Sequence, residues 1–226
     1  MDEHYFKEKT EVPLQLGIVT AVIRKKQFDF YTSPPVFSWR RVDNGTICLA
    51  NGMQISETDK TLLDLGCGYG VLGIVAAETF SALKVTMIDS SERAAFLARK
   101  NAIFYNLRDR VKVLDGDLYG PVEKLSAFSL QPSAVSTEGR WPKAKGQAVF
   151  EKFYIILSNP PYSAGKEIVN QIISHAPEHL NPGGSLQIVG RHNKGGRMYM
   201  GEMEKVFKNV TDDYKKSGFR VYVGRN

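Results

Sequence analysis

The most chemically specific stretch of this chain is Asn159-Pro160-Pro161-Tyr162, directly behind an apolar run from Phe153 to Leu157. An exocyclic amine on a nucleobase, or a side-chain amide nitrogen, is a poor nucleophile because its lone pair is conjugated. A site that accepts hydrogen bonds from both N–H groups favours tetrahedral character at that nitrogen as a new bond forms. The side-chain oxygen of Asn159 and the main-chain carbonyl of Pro160 are the natural acceptors, so both are expected to be catalytic. The two prolines stiffen the turn that aims them. Pro161 and Tyr162 are expected to touch the substrate, the Tyr162 ring offering a flat surface on which a base or amide stacks beside the reacting nitrogen. The plainer alternative for Asn-Pro-Pro is a strand-terminating turn.

The second chemical element lies upstream, at Asp64-Leu65-Gly66-Cys67-Gly68-Tyr69-Gly70, again after an apolar stretch. Glycines after a strand let the backbone approach a ligand closely, because no Cβ intervenes. The Gly-x-Gly-x-Gly spacing differs from the Gly-x-Gly-x-x-Gly of dinucleotide sites, which disfavours a nicotinamide cofactor. Asp89 ends the next apolar run, where a carboxylate can accept both hydroxyls of a ribose, and Asp117 follows the third, placed for an adenine amino group. Ser90, Leu118, Cys67 and Asn159 complete the expected cofactor contacts. All fall at carboxyl ends of predicted strands, where open α/β sheets bind ligands. Against this stands a reading of the glycines as a tight turn and of the aspartates as helix caps. A nucleotide-like cofactor beside a grip on nitrogen describes methyl transfer from S-adenosylmethionine to an exocyclic nitrogen.

These residues need a scaffold, and the rhythm of the chain supplies one. Leu16–Ile23 and Gln27–Thr32 read as a hairpin around Arg24-Lys25-Lys26, and Asp43 caps a short helix that stops at Gly52. Strands are expected over Thr61–Leu65, Lys84–Ile88, Val111–Leu114, Phe153–Ser158 and Leu186–Val189. Helices are expected over Val71–Phe80, from Ser91 to about Tyr105, through Ile168, Ile172, Ile173, Ala176 and Leu180, and around Met200–Phe207. The helix reaching Leu180 would close at Asn181-Pro182-Gly183-Gly184. Alternating strands and helices imply a parallel sheet covered on both faces, and Val210–Lys215 with Phe219–Val223 would add an antiparallel hairpin. Residues 1–52 read as an N-terminal extension and 53–226 as the main domain. A stretch at about 121–150, rich in Ser, Pro, Ala and Gly, exceeds what a crossover needs and reads as an inserted, partly mobile loop.

Composition sets the partners. A net charge of +6 and a pI near 9.2 favour an anionic partner, nucleic acid foremost. Arg24-Lys25-Lys26, Arg40-Arg41 and Lys143 with Lys145 are small basic clusters, each equally a solvated surface. Lys194-Gly195-Gly196 follows the fifth strand and is expected to touch substrate phosphate, with a plain loop as the alternative. Trp141 either stacks on RNA or packs the inserted loop. Cys48 and Cys67 form no disulfide framework, and the four histidines show no metal spacing, so no metal is expected. No apolar run approaches a membrane span and the N-terminus is acidic, so a cytoplasmic location without membrane contact is expected.

With these motifs in place, the chain resembles the class I S-adenosylmethionine-dependent methyltransferases. More narrowly, it resembles the small-subunit ribosomal RNA guanine-N2 methyltransferase family (RsmC-type), especially its single-domain archaeal relatives. Val36-Phe37-Ser38, Val42-Asp43-Asn44-Gly45-Thr46, Gly165-Lys166, Asn181–Leu186 and Lys215–Val221 carry that match. The resemblance implies an α/β, Rossmann-like fold with a seven-stranded, mostly parallel sheet, and transfer to the N2 amine of guanine in ribosomal RNA. It also implies that Asn159 grips the acceptor while Asp64, Gly66, Gly68, Gly70, Asp89 and Asp117 hold the cofactor. Bacterial members of that family usually carry an additional degenerate methyltransferase-like domain, which this sequence is not expected to accommodate. Asn-Pro-Pro-Tyr is shared with protein glutamine methyltransferases and adenine-N6 methyltransferases, which remain alternatives, as does a non-catalytic RNA-binding scaffold.

Overall fold

The structure is a computed structural model that describes residues 12–123, 151–161 and 165–226. Tyr162, and the 121–150 insertion beyond residue 123 with Trp141, Lys143 and Lys145, lie outside the described residues.

Strands β1 (Gly17–Ile23) and β2 (Lys26–Thr32) form the expected N-terminal hairpin. Ile23 pairs with Lys26, so the connection is only Arg24-Lys25, with φ of 51° and 65°. Two successive positive φ values match the right-handed strand twist, a geometry that usually recruits glycine or asparagine. Here the adjoining helix holds it instead. The Arg24 amide donates to Asn51 Oδ1 at 2.9 Å, and the Arg24 guanidinium reaches the Ala50 and Asn51 carbonyls. That helix, α1 (Asn44–Gly52), is capped by Asp43 as its sequence predicts.

From Thr61 the alternation of strand and helix takes over. The elements are β3 (Thr61–Leu65), α2 (Val71–Thr79), β4 (Lys84–Asp89), α3 (Glu92–Phe104), β5 (Val111–Asp115) and β6 (Phe153–Ser158). Then come α4 (Gly165–His175), β7 (Leu180–Arg191), α5 (Arg197–Glu204), β8 (Asn209–Lys216) and β9 (Phe219–Arg225). They build one seven-stranded sheet in the order β5-β4-β3-β6-β7-β9-β8. It is parallel from β5 to β7 and ends in antiparallel β9 and β8. This is the α/β sheet that the resemblance implied. Strand β3 pairs with β4 on one side and β6 on the other. Successive connections therefore leave β3 in opposite directions, and a crevice opens above its carboxyl end.

One expectation needs correction. The helix after β6 does not run to Leu180; it stops at His175. Pro177 lacks an N–H to continue the ladder, so the chain tightens into a 3-10 turn over Ala176–His179. Leu180 already belongs to β7, and Asn181–Gly184 form its irregular start, where pairing with β6 shifts between Phe153 and Ile155.

Both sheet faces are covered. One core contains Leu62, Ile74 and Leu97 together with Phe28, Phe30, Cys48 and Leu49 of the first 52 residues. The opposite core joins Leu63 and Ile156 to Ile172 of α4 and Met203 of α5. Burying a large apolar side chain stabilises by about 1.5–3 kcal/mol, which favours docking of the hairpin on α3. The polar counterpart is Asn101, fully buried on α3. Its side chain accepts from the Tyr31 amide at 2.7 Å and donates to the Tyr31 and Tyr69 carbonyls at 2.9 and 2.8 Å. One amide thus satisfies the edge of β2 and the glycine loop together. Asn101→Ala leaves these backbone groups unpaired in the interior. It is expected to lower unfolding stability by about 3 kcal/mol, read as a lower denaturant midpoint in urea titration.

Candidate active site

The glycine loop lies at the end of β3 because its backbone is tied to β4. The Gly66 and Cys67 amides both donate to the Ile88 carbonyl, at 2.9 and 3.0 Å. The Gly68 amide donates to Asp89 Oδ2 at 2.8 Å. Gly66, Gly68 and Gly70 have φ of 68°, 57° and 93°, a region that side chains with a Cβ rarely occupy. A Cβ built on Gly66 or Gly68 would meet no atom within 4 Å. The glycines therefore serve the backbone path and leave open space above the loop, as a ligand cradle requires.

The carboxylates play different parts. Asp64 is fully buried, and its Oδ2 accepts from the Gly73 amide in the first turn of α2 at 2.9 Å. Its Oδ1 is buried without a hydrogen-bond partner among the described residues. Burial pushes the Asp64 pKa up to about 7, with the nearby charge of Asp89 adding to it. Asp89 is also raised by burial, against the hydrogen bonds it accepts from Ser91 and Gly68, and Asp117 raises it further. Desolvation raises Asp117 as well. Burial is the first cause of all three shifts, with repulsion from Asp89 adding at Asp64 and from Asp117 adding at Asp89.

The Asn159 turn faces this loop from the end of β6. Ser158 Oγ donates to the Leu65 carbonyl at 3.1 Å and clamps the ends of β6 and β3 together. Asn159 Nδ2 donates to Asp43 Oδ2 at 3.1 Å and to Thr46 Oγ1 at 2.9 Å. A carboxylate only accepts, so Asp43 fixes the nitrogen side of the amide against α1 and leaves Asn159 Oδ1 without a donor among the described residues. Asp43 Oδ2 also accepts from the Gly45 and Thr46 amides, at 2.8 and 3.1 Å. Gly45 permits the close approach: a Cβ there would lie 2.9 Å from Phe219 Cε1 and 3.1 Å from Asn159 Oδ1.

A cleft lined by Phe37, Ser38, Asp43, Thr46, residues 66–69 and Asn159 joins the two motifs. Of the residues expected from sequence, Gly66, Cys67, Gly68 and Asn159 share this cleft, and Asp89 adjoins it through Gly68. Ser90 is half-buried behind Asp89, Pro160 is buried and Pro161 exposed. Gly70 caps α2. Asp117 and Leu118 follow β5, with Leu118 at a φ of 45°. Asp64 lies under the loop rather than in the cleft, and Lys194 is exposed in the turn His192–Gly196 after β7. Sequence reasoning missed Phe37, Ser38 and Thr46 as cleft walls and took Asp43 for a cap alone. The signal was present, since these residues lie in stretches that carried the family resemblance.

Glycine loops at a switch point serve many cofactors. What narrows the class is the opposing Asn-Pro-Pro turn, suited to group transfer onto nitrogen, and the antiparallel ending of the sheet. Together they define a class I methyltransferase. Residues 27–130 and 124–223 match the methyltransferase small domain, and the chain belongs to that family. It is 31% identical to the uncharacterized protein YbxB of Bacillus subtilis (strain 168), over 98% of this chain and 97% of that protein. It is 28% identical to ribosomal RNA small subunit methyltransferase C of Actinobacillus pleuropneumoniae, over 88% of this chain and 52% of the relative. Against such named ribosomal methyltransferases, the chain spans about half their length or less. Among solved structures, the T. thermophilus 16S rRNA N2 methyltransferase RsmC, in complex with AdoMet and guanosine, superposes with a TM-score of 0.71 at 20% identity. That match covers 97% of this chain and 53% of the other, and it shows the shared fold.

The raised Asp64 pKa has a consequence for stability. A carboxyl that ionises near 7 when folded but near 3.8 when unfolded holds a proton in the native state that the unfolded chain has released. Its contribution to stability is therefore full below the unfolded value and declines as pH rises towards the folded one. In Asp64→Asn this decline is absent, so melting temperature is expected to fall less between pH 5 and pH 8 than in the wild type, as scanning calorimetry can measure.

Proposed function

We propose that this protein transfers a methyl group from S-adenosylmethionine to an exocyclic nitrogen of RNA, with guanine N2 in ribosomal RNA as the leading acceptor. The observation that carries the reading is the orientation of Asn159. With Nδ2 committed to Asp43 and Thr46, the side chain presents an acceptor to the cleft, the polarity an incoming amino group needs.

The residues present fit the methyl donor. The open space above Gly66 and Gly68 and the Asp89 carboxylate that holds the Gly68 amide beside it suit a nucleoside. S-adenosylmethionine supplies a methyl group made electrophilic by its attachment to a sulfonium. Asp89 keeps further lone pairs for ribose hydroxyls after accepting from Gly68 and Ser91. Asp117 and Leu118 would meet the adenine, and Cys67 and Ser90 the ribose. Asn159 Oδ1 and the Pro160 carbonyl accept the two N–H groups of the acceptor amine and concentrate its lone pair on the departing methyl. Phe37, 56% exposed and a wall of the cleft, gives a stacking surface for the base. Once methylated, the nitrogen releases its proton to water.

Three supports favour RNA over a protein amide. The chain is basic, and its relatives include enzymes named for small- and large-subunit ribosomal RNA. The structural neighbour was solved with guanosine.

The decisive experiment is transfer of labelled methyl to unmodified ribosomal RNA, free and in subunits, followed by nucleoside mass spectrometry. N2-methylguanosine is expected. N6-methyladenosine would keep the chemistry and replace the acceptor, and label in protein alone would overturn the RNA reading. Asn159→Ala is expected to lower kcat by roughly 100-fold or more with cofactor affinity retained in calorimetry. Asp89→Ala is expected to weaken cofactor binding at least about tenfold, near 1.4 kcal/mol.

A further inference from the structure

We propose that a hollow beside the β8–β9 turn holds the phosphate–ribose backbone of the strand that carries the acceptor base. Its volume is about 310 Å³, and its walls include His192, Asn193, Lys215, Lys216, Phe219 and Arg220. The inference rests on RNA being the substrate.

Position is the first argument. Strand β7 runs parallel to β6, so the turn His192–Gly196 leaves the sheet at the same edge as Asn159. Strand β9 returns antiparallel, with Phe219 opposite Arg191, which brings the tip Ser217-Gly218 to that edge too. Phe219 is the partition between the hollow and the catalytic cleft. It lines the hollow, and its ring abuts Gly45, which in turn abuts Asn159. A strand whose base enters the cleft past Phe37 would have its neighbouring phosphates within reach of this hollow.

Charge is the second argument. Lys215 and Lys216 line the hollow, while Arg191 at the end of β7, Lys194 on the following turn and Arg197 at the start of α5 are exposed nearby. No ion pair among the described residues engages any of these five. Arg220 pairs with Asp212. The Arg191 guanidinium lies over the Phe219 ring, 5.3 Å from its centroid, which leaves its donors to face solvent. Arg197 Nε donates to His192 Nε2 at 3.2 Å, so that ring is neutral and carries its proton on Nδ1, beside Tyr222 Oη at 3.1 Å. Desolvation first, then the charges of Arg220 and Arg197, hold His192 below its ordinary pKa, as a cationic surround demands. Several cations at one edge of the sheet, none of the five in an ion pair among the described residues, suit successive phosphates of a polyanion.

The test pairs Lys215→Ala/Lys216→Ala with a control, Lys60→Ala/Lys84→Ala, which removes equal charge near the opposite edge of the sheet. Binding of a fluorescent single-stranded oligoribonucleotide from ribosomal RNA is followed by anisotropy across a potassium chloride series. Calorimetry of S-adenosylmethionine binding and initial-rate kinetics accompany it. For the first variant, RNA affinity is expected to fall about tenfold, and the slope of log affinity against log salt to shrink by about 1.4, from two phosphate contacts. KM for RNA should rise while kcat and cofactor affinity stay within about twofold, and the control should match wild type. An unchanged salt slope, or an equal loss in the control, overturns the hollow while RNA methylation stands. A wild-type protein that neither binds nor methylates RNA overturns the substrate reading, and this site with it.

Discussion

The structure turns on a short contact between residues 116 positions apart, in which Asn159 gives its amide nitrogen to Asp43. A primary amide on a turn has two orientations that differ little in shape and are opposite in polarity. Only the carboxylate of Asp43, an obligate acceptor, makes one of them strongly preferred. For that carboxylate to be there, α1 must lie against the carboxyl edge of the sheet, and Gly45 must leave room for both Asn159 and Phe219. Helix α1 and the sheet thus meet at one cleft, and the orientation of the Asn159 amide depends on how the first 52 residues dock.

The same logic governs the cofactor side. The glycine loop has little side-chain bulk to hold it, so its path is set by hydrogen bonds from outside. The Ile88 carbonyl and the Asp89 carboxylate hold its amides from β4, and Asn101 holds the Tyr69 carbonyl from α3. Asn101 also holds both polar groups of Tyr31, so the hairpin and the loop share one anchor. The carboxyls around the loop are partly desolvated, which raises their pKa values and costs stability as they ionise. Shifted carboxyls of this kind are frequent at functional sites.

The proposed RNA-binding edge would extend this picture from a reaction to a substrate. A small base in a cleft supplies little binding energy by itself, whereas backbone phosphates supply much of the affinity in nucleic-acid complexes. Phe219 connects the two scales, since one ring packs the catalytic turn, supports Arg191 and walls the cationic hollow.

Periodicity along the chain determined much of the architecture. Period-two runs at Phe28 and Phe30 and apolar runs such as Phe153–Leu157 became strands, because a side chain's face follows from its position within the element. The Gly-x-Gly-x-Gly and Asn-Pro-Pro motifs identified the chemistry, because their backbone needs are local. Local propensity erred at the end of α4, where the helical stripe continued to Leu180 but Pro177 tightened the chain and sheet pairing claimed the next residues. What only the tertiary structure decided are the contacts between distant segments. These include the burial of Asp64 beneath the loop it precedes, the meeting of Asp43 and Thr46 with Asn159, and the gathering of Arg191, Lys194, Lys215 and Lys216 at one edge. A residue's type announces what it can bond. Which partner it meets depends on docking energies summed over whole elements, and no short stretch of sequence contains that sum.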